Sequence, residues 1–335
     1  MAHTPKDEPA RMPKTLIVGL GKTGLSCARY LARLGVPVAV TDSRAEPPGL
    51  DALREELPDL ALFLGGFDDA VFAAAERLVV SPGVPVSEPQ VAAAAARGAE
   101  VLGDVELFAR GAGAPVVAIT GSNGKSTVTS LLGEMAREAG VRVAVGGNLG
   151  EPALDLLDDA VDLYVVELSS FQLETTWSLA ARAATVLNVS ADHMDRYPGF
   201  DAYAETKARV LDGADIGVLN LDDPRVVAMG GIAGRDRGFS LGEPVGDDDF
   251  GLREKDGEPW LARGGNGLMP VSRLAMPGRH NQANALAALA LGDAAGLPME
   301  AMLRTLETFR GLPHRTALVA EIDGVRWYDD SKGTN

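Results

Sequence analysis

The chain has 335 residues, and at about 150 residues per domain this length favours two domains with room for part of a third. Hydrophobic residues make up 46% of the chain and charged residues 23%, which is typical of folded globular proteins and excludes a disordered or low-complexity chain. The formal net charge of -16 excludes a strongly basic surface, so nucleic acid is not an expected partner.

The N-terminus, MAHTPKDEPARMPKT, is polar and charged and lacks the apolar core of a secretion signal. No later stretch approaches the roughly 18 consecutive apolar residues of a membrane-spanning helix. Cys27 is the only cysteine, which excludes an internal disulfide and a cysteine-based zinc site. We therefore expect a cytoplasmic protein without membrane association.

A nucleotide-binding pattern comes next. The apolar run KTLIV at 14–18 leads into GLGKTG at 19–24, and a predicted helix and a strand ending at Asp42 follow. In this strand–loop–helix–strand unit, glycines allow a phosphate to approach the backbone at the start of the helix. The pattern predicts a site for a nucleotide phosphate without identifying the nucleotide.

Strands and helices continue to alternate up to residue 103, which predicts a parallel sheet. The alternation then restarts with the predicted helix DVELFARGA and the buried strand PVVAIT. We therefore predict one domain at residues 1–103, a second at 104–311, and the start of another at 312–335. Within the second domain, Asp256-Gly257 predicts a hairpin at the rim.

The strongest chemical signal is GSNGKST at 121–127, between a buried strand and a helix. In such a loop, successive backbone N–H groups cradle phosphates, Lys125 neutralises their charge, and the Ser126 hydroxyl can bind Mg²⁺. The spacing departs from the usual P-loop, because Ile119 stands where that pattern has glycine. The strand–loop–helix setting still favours a phosphate loop over an accidental glycine-rich turn.

Other polar side chains allow two interpretations each. Glu167, at the end of the strand LYVVE, is predicted to bind the metal beside this loop, although it could instead cap the segment that follows. His193 and His280 lie in polar loops, which favours site roles, although a loop histidine is often merely solvated. By its own pattern, Lys207 in YAETKARV is expected to be a solvated helix lysine.

Distinctive motifs run from residue 19 to the end of the chain. They are GLGKTG, TDSR, SPGVP, GSNGKST, GGNLG, VELSSFQLE, NVSADHMDRYPG, ETKAR, GRHNQANALAA, GLPHR and DDSKGTN. Together they resemble the Mur ligase family. The resemblance implies an α/β protein with an N-terminal Rossmann-like parallel-sheet domain and a central P-loop ATPase-like domain. Family members carry a third, Rossmann-like domain that is absent here, so we expect this chain to be inactive alone.

In the first domain, the resemblance assigns the glycine loop to the diphosphate of a UDP-sugar substrate instead of a dinucleotide cofactor. The matching positions are Lys22, Thr23, Asp42, Ser43, Arg44 and Gly83, and Asn148 of the central domain matches a diphosphate contact.

In the central domain, the resemblance implies an ATP site and two Mg²⁺ sites. The matching nucleotide contacts are Gly121, Ser122, Asn123, Gly124, Lys125, Ser126, Thr127, Asn281, Asn284, Arg315 and Asp330, with Lys332 and Thr334 in the same closing segment. One Mg²⁺ would bind Ser126 and Glu167, and the other His193 and Lys207. Because a free ammonium cannot bind a cation, Lys207 would have to be carbamylated, which reverses the expectation from its own pattern.

The reaction implied is the ATP-dependent addition of D-glutamate to UDP-N-acetylmuramoyl-L-alanine through an acyl phosphate, in peptidoglycan precursor synthesis. Lys125, Glu167, His193 and Lys207 are the expected catalytic residues, His193 also contacts substrate, and a monomer is expected. A sister ligase for another amino acid and a nucleotide-binding module without activity remain alternatives. An NAD-dependent oxidoreductase would fit GLGKTG but leaves GSNGKST unexplained.

Overall fold

The computed structural model describes residues 13–312, 317–322, 325–329 and 331, and the chain divides into two compact units. The first unit is the chain up to Phe108 together with Glu174–Thr176, and the second is the remainder. The division falls inside a helix that follows the boundary predicted at residue 103. Within the described residues, no helix has both the length and the apolarity required to cross a membrane.

The first unit is built on a five-stranded parallel sheet. Its strands are β1 (Thr15–Val18), β2 (Val38–Asp42), β3 (Ala61–Leu64), β4 (Arg77–Val80) and β5 (Glu100–Leu102). Its helices are α1 (Lys22–Arg33), α2 (Leu50–Glu56), α3 (Asp69–Ala74), α4 (Pro89–Ala96) and α5 (Asp104–Gly111), the last of which contains the division between the units.

The strand order β3-β2-β1-β4-β5 places β1 at the centre of this sheet. All of β1 is buried, as a central parallel strand requires, because helices cover both faces of such a sheet. The glycine loop GLGKTG follows this strand and leads directly into α1, which begins at Lys22. The predicted nucleotide-type unit and its parallel sheet are therefore confirmed.

The second unit contains a nine-stranded sheet. Its strands are β6 (Val116–Thr120), β7 (Val143–Gly147), β8 (Leu163–Glu167), β9 (Ala183–Val186), β10 (Ile216–Asn220), β11 (Arg235–Phe239), β12 (Phe250–Lys255), β13 (Glu258–Arg263) and β14 (Asn266–Pro270). Its longer helices are α6 (Lys125–Glu138), α8 (Phe200–Ala208), α10 (Arg279–Ala294) and α11 (Met299–Thr308), with short helices α7 (Ser170–Leu173) and α9 (Pro224–Val227).

The order of this sheet is β14-β13-β12-β11-β10-β9-β6-β8-β7. Strand β6 lies between β9 and β8 and runs parallel to both, so the loops that follow these three strands emerge at the same edge. At one end of the sheet, β12 and β13 pair antiparallel with Lys255 opposite Glu258, which confirms the hairpin predicted across Asp256-Gly257. A separate antiparallel pair, β15 (Ala317–Ile322) and β16 (Val325–Asp329), follows α11.

Helices α6 and α10 pack together in the apolar core of the second unit. Leu131, Leu132 and Met135 of α6 are fully buried, as are most residues of the alanine-rich helix α10. Strand β11, RDRGF, was not predicted, because its charged residues hide the apolar pattern of a strand. Its Arg237 is buried and forms an ion pair at 2.5 Å with Asp293 of α10, which compensates its charge.

Candidate functional site

The loop 121–127 turns directly from the end of β6 into α6. The helix begins at Lys125, and the preceding Gly124 has a φ of 83°, a conformation that glycine adopts without strain. A Cβ atom at Gly124 would lie 2.6 Å from Oδ1 of Asn284, so only glycine fits. The N-terminus of α6 thus adjoins a loop whose backbone suits a phosphate, as the sequence predicted.

Two lysines converge on this loop. The Nζ of Lys125 donates hydrogen bonds to the carbonyl oxygens of Gly121 at 2.9 Å and Ser122 at 3.0 Å. The Nζ of Lys207, on α8, donates to the same Gly121 oxygen at 2.9 Å. The site therefore holds two basic groups where phosphate charge would be placed.

Lys207 is not the solvated helix lysine that its own sequence pattern indicated, because only 2% of it is exposed. It lies four residues after Tyr203, and both residues are on the buried face of α8. Burial, and next the charge of Lys125, lower the pKa of Lys207 to about 7, although Asp192 and Glu167 act in the opposite direction. A substantial fraction of this amine is therefore neutral at neutral pH.

Glu167 ends β8 and is 2% exposed. Its Oε1 accepts a hydrogen bond from Nδ2 of Asn148 at 2.7 Å, whereas the buried Oε2 has no hydrogen-bond partner in the described part of the chain. Glu167 does not cap the segment that follows it. The local hydrogen bonds of that segment are made by Ser169 and Gln172. A buried carboxylate oxygen without a donor suits a cation.

His193 lies in the loop after β9, in the left-handed backbone region with a φ of 55°. Its side chain is 46% exposed, and its Nε2 lies 3.5 Å from Oδ2 of Asp192. Its ring packs against Phe171 with a centroid distance of 4.8 Å. The imidazole is thus held at the mouth of the site with an acidic neighbour.

A cavity of about 900 Å³ collects most of these groups within the second unit. The predicted residues that line it are Ser122, Asn123, Gly124, Lys125, Ser126, Thr127, Asn148, Glu167, His193, Asn281 and Asn284. Gly121 and Lys207 adjoin it through the hydrogen bond between them. In the described ranges there is no group of three His, Cys, Asp or Glu residues arranged to hold a metal.

The opposite side of the cavity is formed by the start of α10. Asn281 and Asn284 are three residues apart on this helix, and Nδ2 of Asn284 donates to Oδ1 of Asn281 at 3.2 Å. His280 also lines the cavity, but it lies in the first turn of α10 and not in the loop that the sequence predicted. The predicted contacts Arg315, Asp330, Lys332 and Thr334 lie outside the described residues.

Sequence reasoning missed Asn188, which follows β9. Its Oδ1 accepts a hydrogen bond from the backbone N–H of Asn123 at 2.8 Å, and its Nδ2 donates to the Asn123 carbonyl at 3.0 Å. This side chain therefore holds the phosphate loop in place. The only available signal was the position of Asn188 at the carboxyl end of a predicted parallel strand.

A second site is centred on the end of β2 in the first unit. Asp42 is buried and accepts hydrogen bonds from the backbone N–H of Leu20 at 2.7 Å and from the guanidinium of Arg44 at 2.8 Å. Burial raises the pKa of Asp42, but the hydrogen bonds from Arg44 and Leu20 outweigh it and leave the pKa at about 2. The ionised carboxylate thus ties the glycine loop to the residues after β2.

The other residues predicted for this site lie on three segments, at the start of α1, after β2 and after β4. Lys22 and Thr23 form the first turn of α1, beside the glycine loop. Ser43, Arg44 and Gly83 are exposed. The unit therefore presents basic and hydroxyl side chains at the carboxyl ends of its parallel strands, where α/β proteins bind their ligands.

Comparisons with known proteins identify both units. Residues 13–103 match the model described as "Mur ligase MurD-like, N-terminal domain", and residues 119–292 match "Mur ligase middle domain". A UDP-N-acetylmuramoylalanine–D-glutamate ligase from Nitrosococcus oceani is 59% identical over 329 residues, which cover 98% of this chain and 72% of that protein. The ligase of the same description from Methylobacillus flagellatus is 58% identical over 326 residues, covering 96% and 72%.

The fold is also shared with solved structures. The crystal structure of UDP-N-acetylmuramate-alanine ligase from Thermotoga maritima matches with a TM-score of 0.57 and 19% identity, over 95% of this chain and 74% of that one.

Proposed function

The chain belongs to the Mur ligase family and is an ATP-dependent ligase of peptidoglycan precursor synthesis, and from this premise we propose that it joins D-glutamate to UDP-N-acetylmuramoyl-L-alanine. The names of its relatives support this choice of amino acid and acceptor. The observation that carries the assignment of the site is the convergence of Lys125 and Lys207 on the Gly121 carbonyl beside the buried carboxylate of Glu167.

Amide formation from a carboxylate and an amine in water needs coupling to ATP cleavage. An oxygen of the substrate carboxylate attacks the γ-phosphorus, the bond from this phosphorus to the β,γ-bridging oxygen breaks, and ADP leaves. The amine of D-glutamate then attacks the acyl carbon and loses a proton, and inorganic phosphate leaves. Both steps require the negative charge on the phosphoryl oxygens to be stabilised.

The phosphate loop and its lysine are suited to this requirement. The backbone between Gly121 and Thr127 surrounds the phosphates, and the ammonium of Lys125 compensates their charge. Asn281 and Asn284 on α10 contact the rest of the nucleotide. His193 orients the carboxylate of the acceptor at the mouth of the cavity, and Lys22 and Arg44 bind the UDP part in the first unit.

The donor set also fits Mg²⁺, because Glu167 has a buried oxygen without a partner among the described residues and the Ser126 hydroxyl borders the same cavity. Ser126 and Glu167 would hold one ion, and His193 with a carbamylated Lys207 the other. When bound, these ions supply positive charge to the transferred phosphoryl group.

Carbamylation of Lys207 is favoured by its neutral fraction. The lone pair of a neutral amine adds to the carbon of CO₂ and the amine loses a proton, which gives a carbamate anion. A pKa of about 7 makes this amine available at neutral pH, whereas an ordinary lysine is almost fully protonated. The product replaces one of two crowded positive groups with a negative one beside Lys125.

Calorimetry with separate ligands tests the proposal. We expect the chain to bind UDP-N-acetylmuramoyl-L-alanine and, independently, Mg²⁺-ATP. Lys125→Ala should weaken ATP binding at least about 10-fold, since it removes a charge-assisted contact, and leave binding of the UDP-substrate unchanged. Lys22→Ala is the matched control in the first unit, with the opposite expected pattern.

Product analysis tests the amino acid. In the full-length protein, ligation with ADP release should occur with D-glutamate and not with L-glutamate or L-alanine. Preference for another amino acid would favour a sister ligase, and nucleotide binding without ADP release from the full-length protein would favour a binding module. Failure of the UDP-substrate to bind would contradict the proposed acceptor.

We further propose that the enzyme is a cytoplasmic monomer. Its use of ATP supports a cytoplasmic location. Sedimentation at the concentration of an activity assay, with and without ligands, would test the monomer.

A further inference from the structure

Asn148 makes a contact that its assignment to the UDP-substrate does not explain. Its Nδ2 donates a hydrogen bond to Oε1 of Glu167 at 2.7 Å. Glu167 is buried at the end of β8, whereas Asn148 is exposed and lines the cavity from the end of β7. The amide therefore reaches inward from the cavity edge to a carboxylate that we assign to the metal.

The backbone keeps these two side chains together. Gly147 and Glu167 form the last pair of the parallel strands β7 and β8, and the backbone N–H of Asn148 donates to the Glu167 carbonyl at 2.8 Å. Gly147 has a φ of 100°, and a Cβ atom there would lie 2.4 Å from that carbonyl oxygen. Only glycine allows this close approach, so the Gly147-Asn148 pair is built around Glu167.

The hydrogen bond from Asn148 makes the two carboxylate oxygens of Glu167 inequivalent. Oε1 is held by the amide, while Oε2 is buried without a hydrogen-bond partner in the described ranges. A carboxylate that ligates a metal is itself normally hydrogen-bonded by a neighbouring group that orients it. A carboxylate free to rotate would lose entropy on binding the ion, and this amide removes part of that cost.

We propose that Asn148 is a positioning residue for the metal carboxylate, and that it orients Glu167 so that Oε2 receives the Mg²⁺ that accompanies ATP. This inference rests on the proposed function, because it needs Glu167 to bind the metal. It goes beyond the expected diphosphate contact of Asn148, because it predicts that the Asn148 side chain also raises the affinity of the site for the metal.

The test measures the two candidate roles separately. Mn²⁺ binds the same oxygen ligands as Mg²⁺ and is measured by electron paramagnetic resonance in the presence of a non-hydrolysable ATP analogue. Binding of UDP-N-acetylmuramoyl-L-alanine is measured by calorimetry without metal. In the absence of the UDP-substrate, we expect Asn148→Ala to weaken Mn²⁺ binding about 10- to 100-fold, the usual effect of removing a group that orients a ligand.

Controls keep the outcome decisive. Because Asn148 is exposed, Asn148→Ala should fold, and thermal unfolding checks this. Asn148→Ser serves as the second variant, because serine is too short to reach Oε1 of Glu167. Lys22→Ala should give the reverse pattern, with weaker UDP-substrate binding and unchanged Mn²⁺ affinity. If both Asn148 variants retain wild-type Mn²⁺ affinity, the inference is wrong while the proposed function stands. If the wild-type chain binds no Mn²⁺ with the nucleotide, both fail.

Discussion

The ammonium groups of Lys125 and Lys207 both donate a hydrogen bond to the carbonyl oxygen of Gly121, each at 2.9 Å. Two cations on one acceptor repel each other, and burial of Lys207 adds to the cost of its charge. Repulsion between the two ammonium groups therefore destabilises the site when no ligand is bound. A bound phosphate or neutralisation of one lysine would relieve this repulsion. The repulsion between these two lysines should affect both the pH dependence of stability and the reaction of Lys207 with CO₂.

The pH dependence of stability should reveal Lys207. Its pKa is about 7 in the folded chain and 10.5 when exposed, so between these values the unfolded chain binds the extra proton. The free energy of unfolding therefore rises with pH from about 7 to about 10.5, by at most about 1.4 kcal/mol per pH unit for one group. Urea unfolding of Lys207→Met in CO₂-free buffer should lack this increment, whereas Lys14→Met, at an exposed lysine, should retain it.

Carbamylation should be visible directly. With ¹³C-labelled bicarbonate, we expect a carbamate carbon signal in the wild-type spectrum, because the neutral amine of Lys207 adds CO₂. Lys207→Arg should remove the signal, since a guanidinium stays protonated. A wild-type spectrum without the signal, at neutral pH and saturating bicarbonate, would contradict the second metal site as proposed.

Removing the side chain of Asn188 should loosen the phosphate loop. Asn188→Ala deletes two hydrogen bonds to the peptide of Asn123, each worth about 1 kcal/mol. We expect the dissociation constant for Mg²⁺-ATP to rise about 10-fold in calorimetry, with unchanged affinity for the UDP-substrate. Asn188→Asp retains the acceptor for the Asn123 N–H but loses the donor and adds a negative charge beside the phosphate loop, so ATP affinity should fall at least as far as in Asn188→Ala. Wild-type ATP affinity in either variant would argue against this role.

Gly124→Ala should disrupt the same loop for a different reason. The new Cβ would lie 2.6 Å from Asn284 Oδ1, and alanine at a φ of 83° is strained by about 1 kcal/mol. We expect a lower thermal midpoint and loss of ATP binding. Adding Asn284→Ser should relieve the clash and recover part of the stability but not the ATP affinity, because Asn284 is itself a proposed contact.

Arg44→Ala should raise the pKa of Asp42 from about 2 toward its ordinary value, since the guanidinium hydrogen bond is the largest of the contributions that lower it. The stability that ionised Asp42 provides is present above pH 3.8 and is lost as the pH falls toward 2. The variant should therefore unfold at a higher pH during acid titration. Carboxyl carbon shifts of Asp42 check the cause, and Arg142→Ala, at an exposed ion pair in the other unit, is the control.

The features that the sequence could predict are those carried by local pattern. GLGKTG and GSNGKST each lie between an apolar strand and a helix, so their loops and the parallel sheets follow from neighbouring residues. The burial of Lys207 could not be predicted from α8, because this helix buries only Tyr203, Ala204 and Lys207 and has no apolar stripe. The role of Asn188 depends on the pairing of β6 with β9, which local sequence does not contain.

The resemblance to the Mur ligase family predicts some of the site residues that local sequence pattern does not. It assigned Lys207 and Glu167 to the metal before any contact was known, and the structure places Glu167 in the cavity and Lys207 beside it. It did not predict that Asn148 contacts Glu167, because matched motifs identify positions and not the hydrogen bonds between them.

The central position of β6 has a consequence for how the protein is made. The residues that line the cavity extend along the chain from Ser122, near the start of the second unit, to Leu312, which follows α11. A ribosome must therefore release almost the whole unit before the nucleotide site can close, and such long-range pairing makes folding slow. Nucleotide that binds only the closed site would then stabilise the newly made chain, so cellular ATP would act as a folding ligand as well as a substrate.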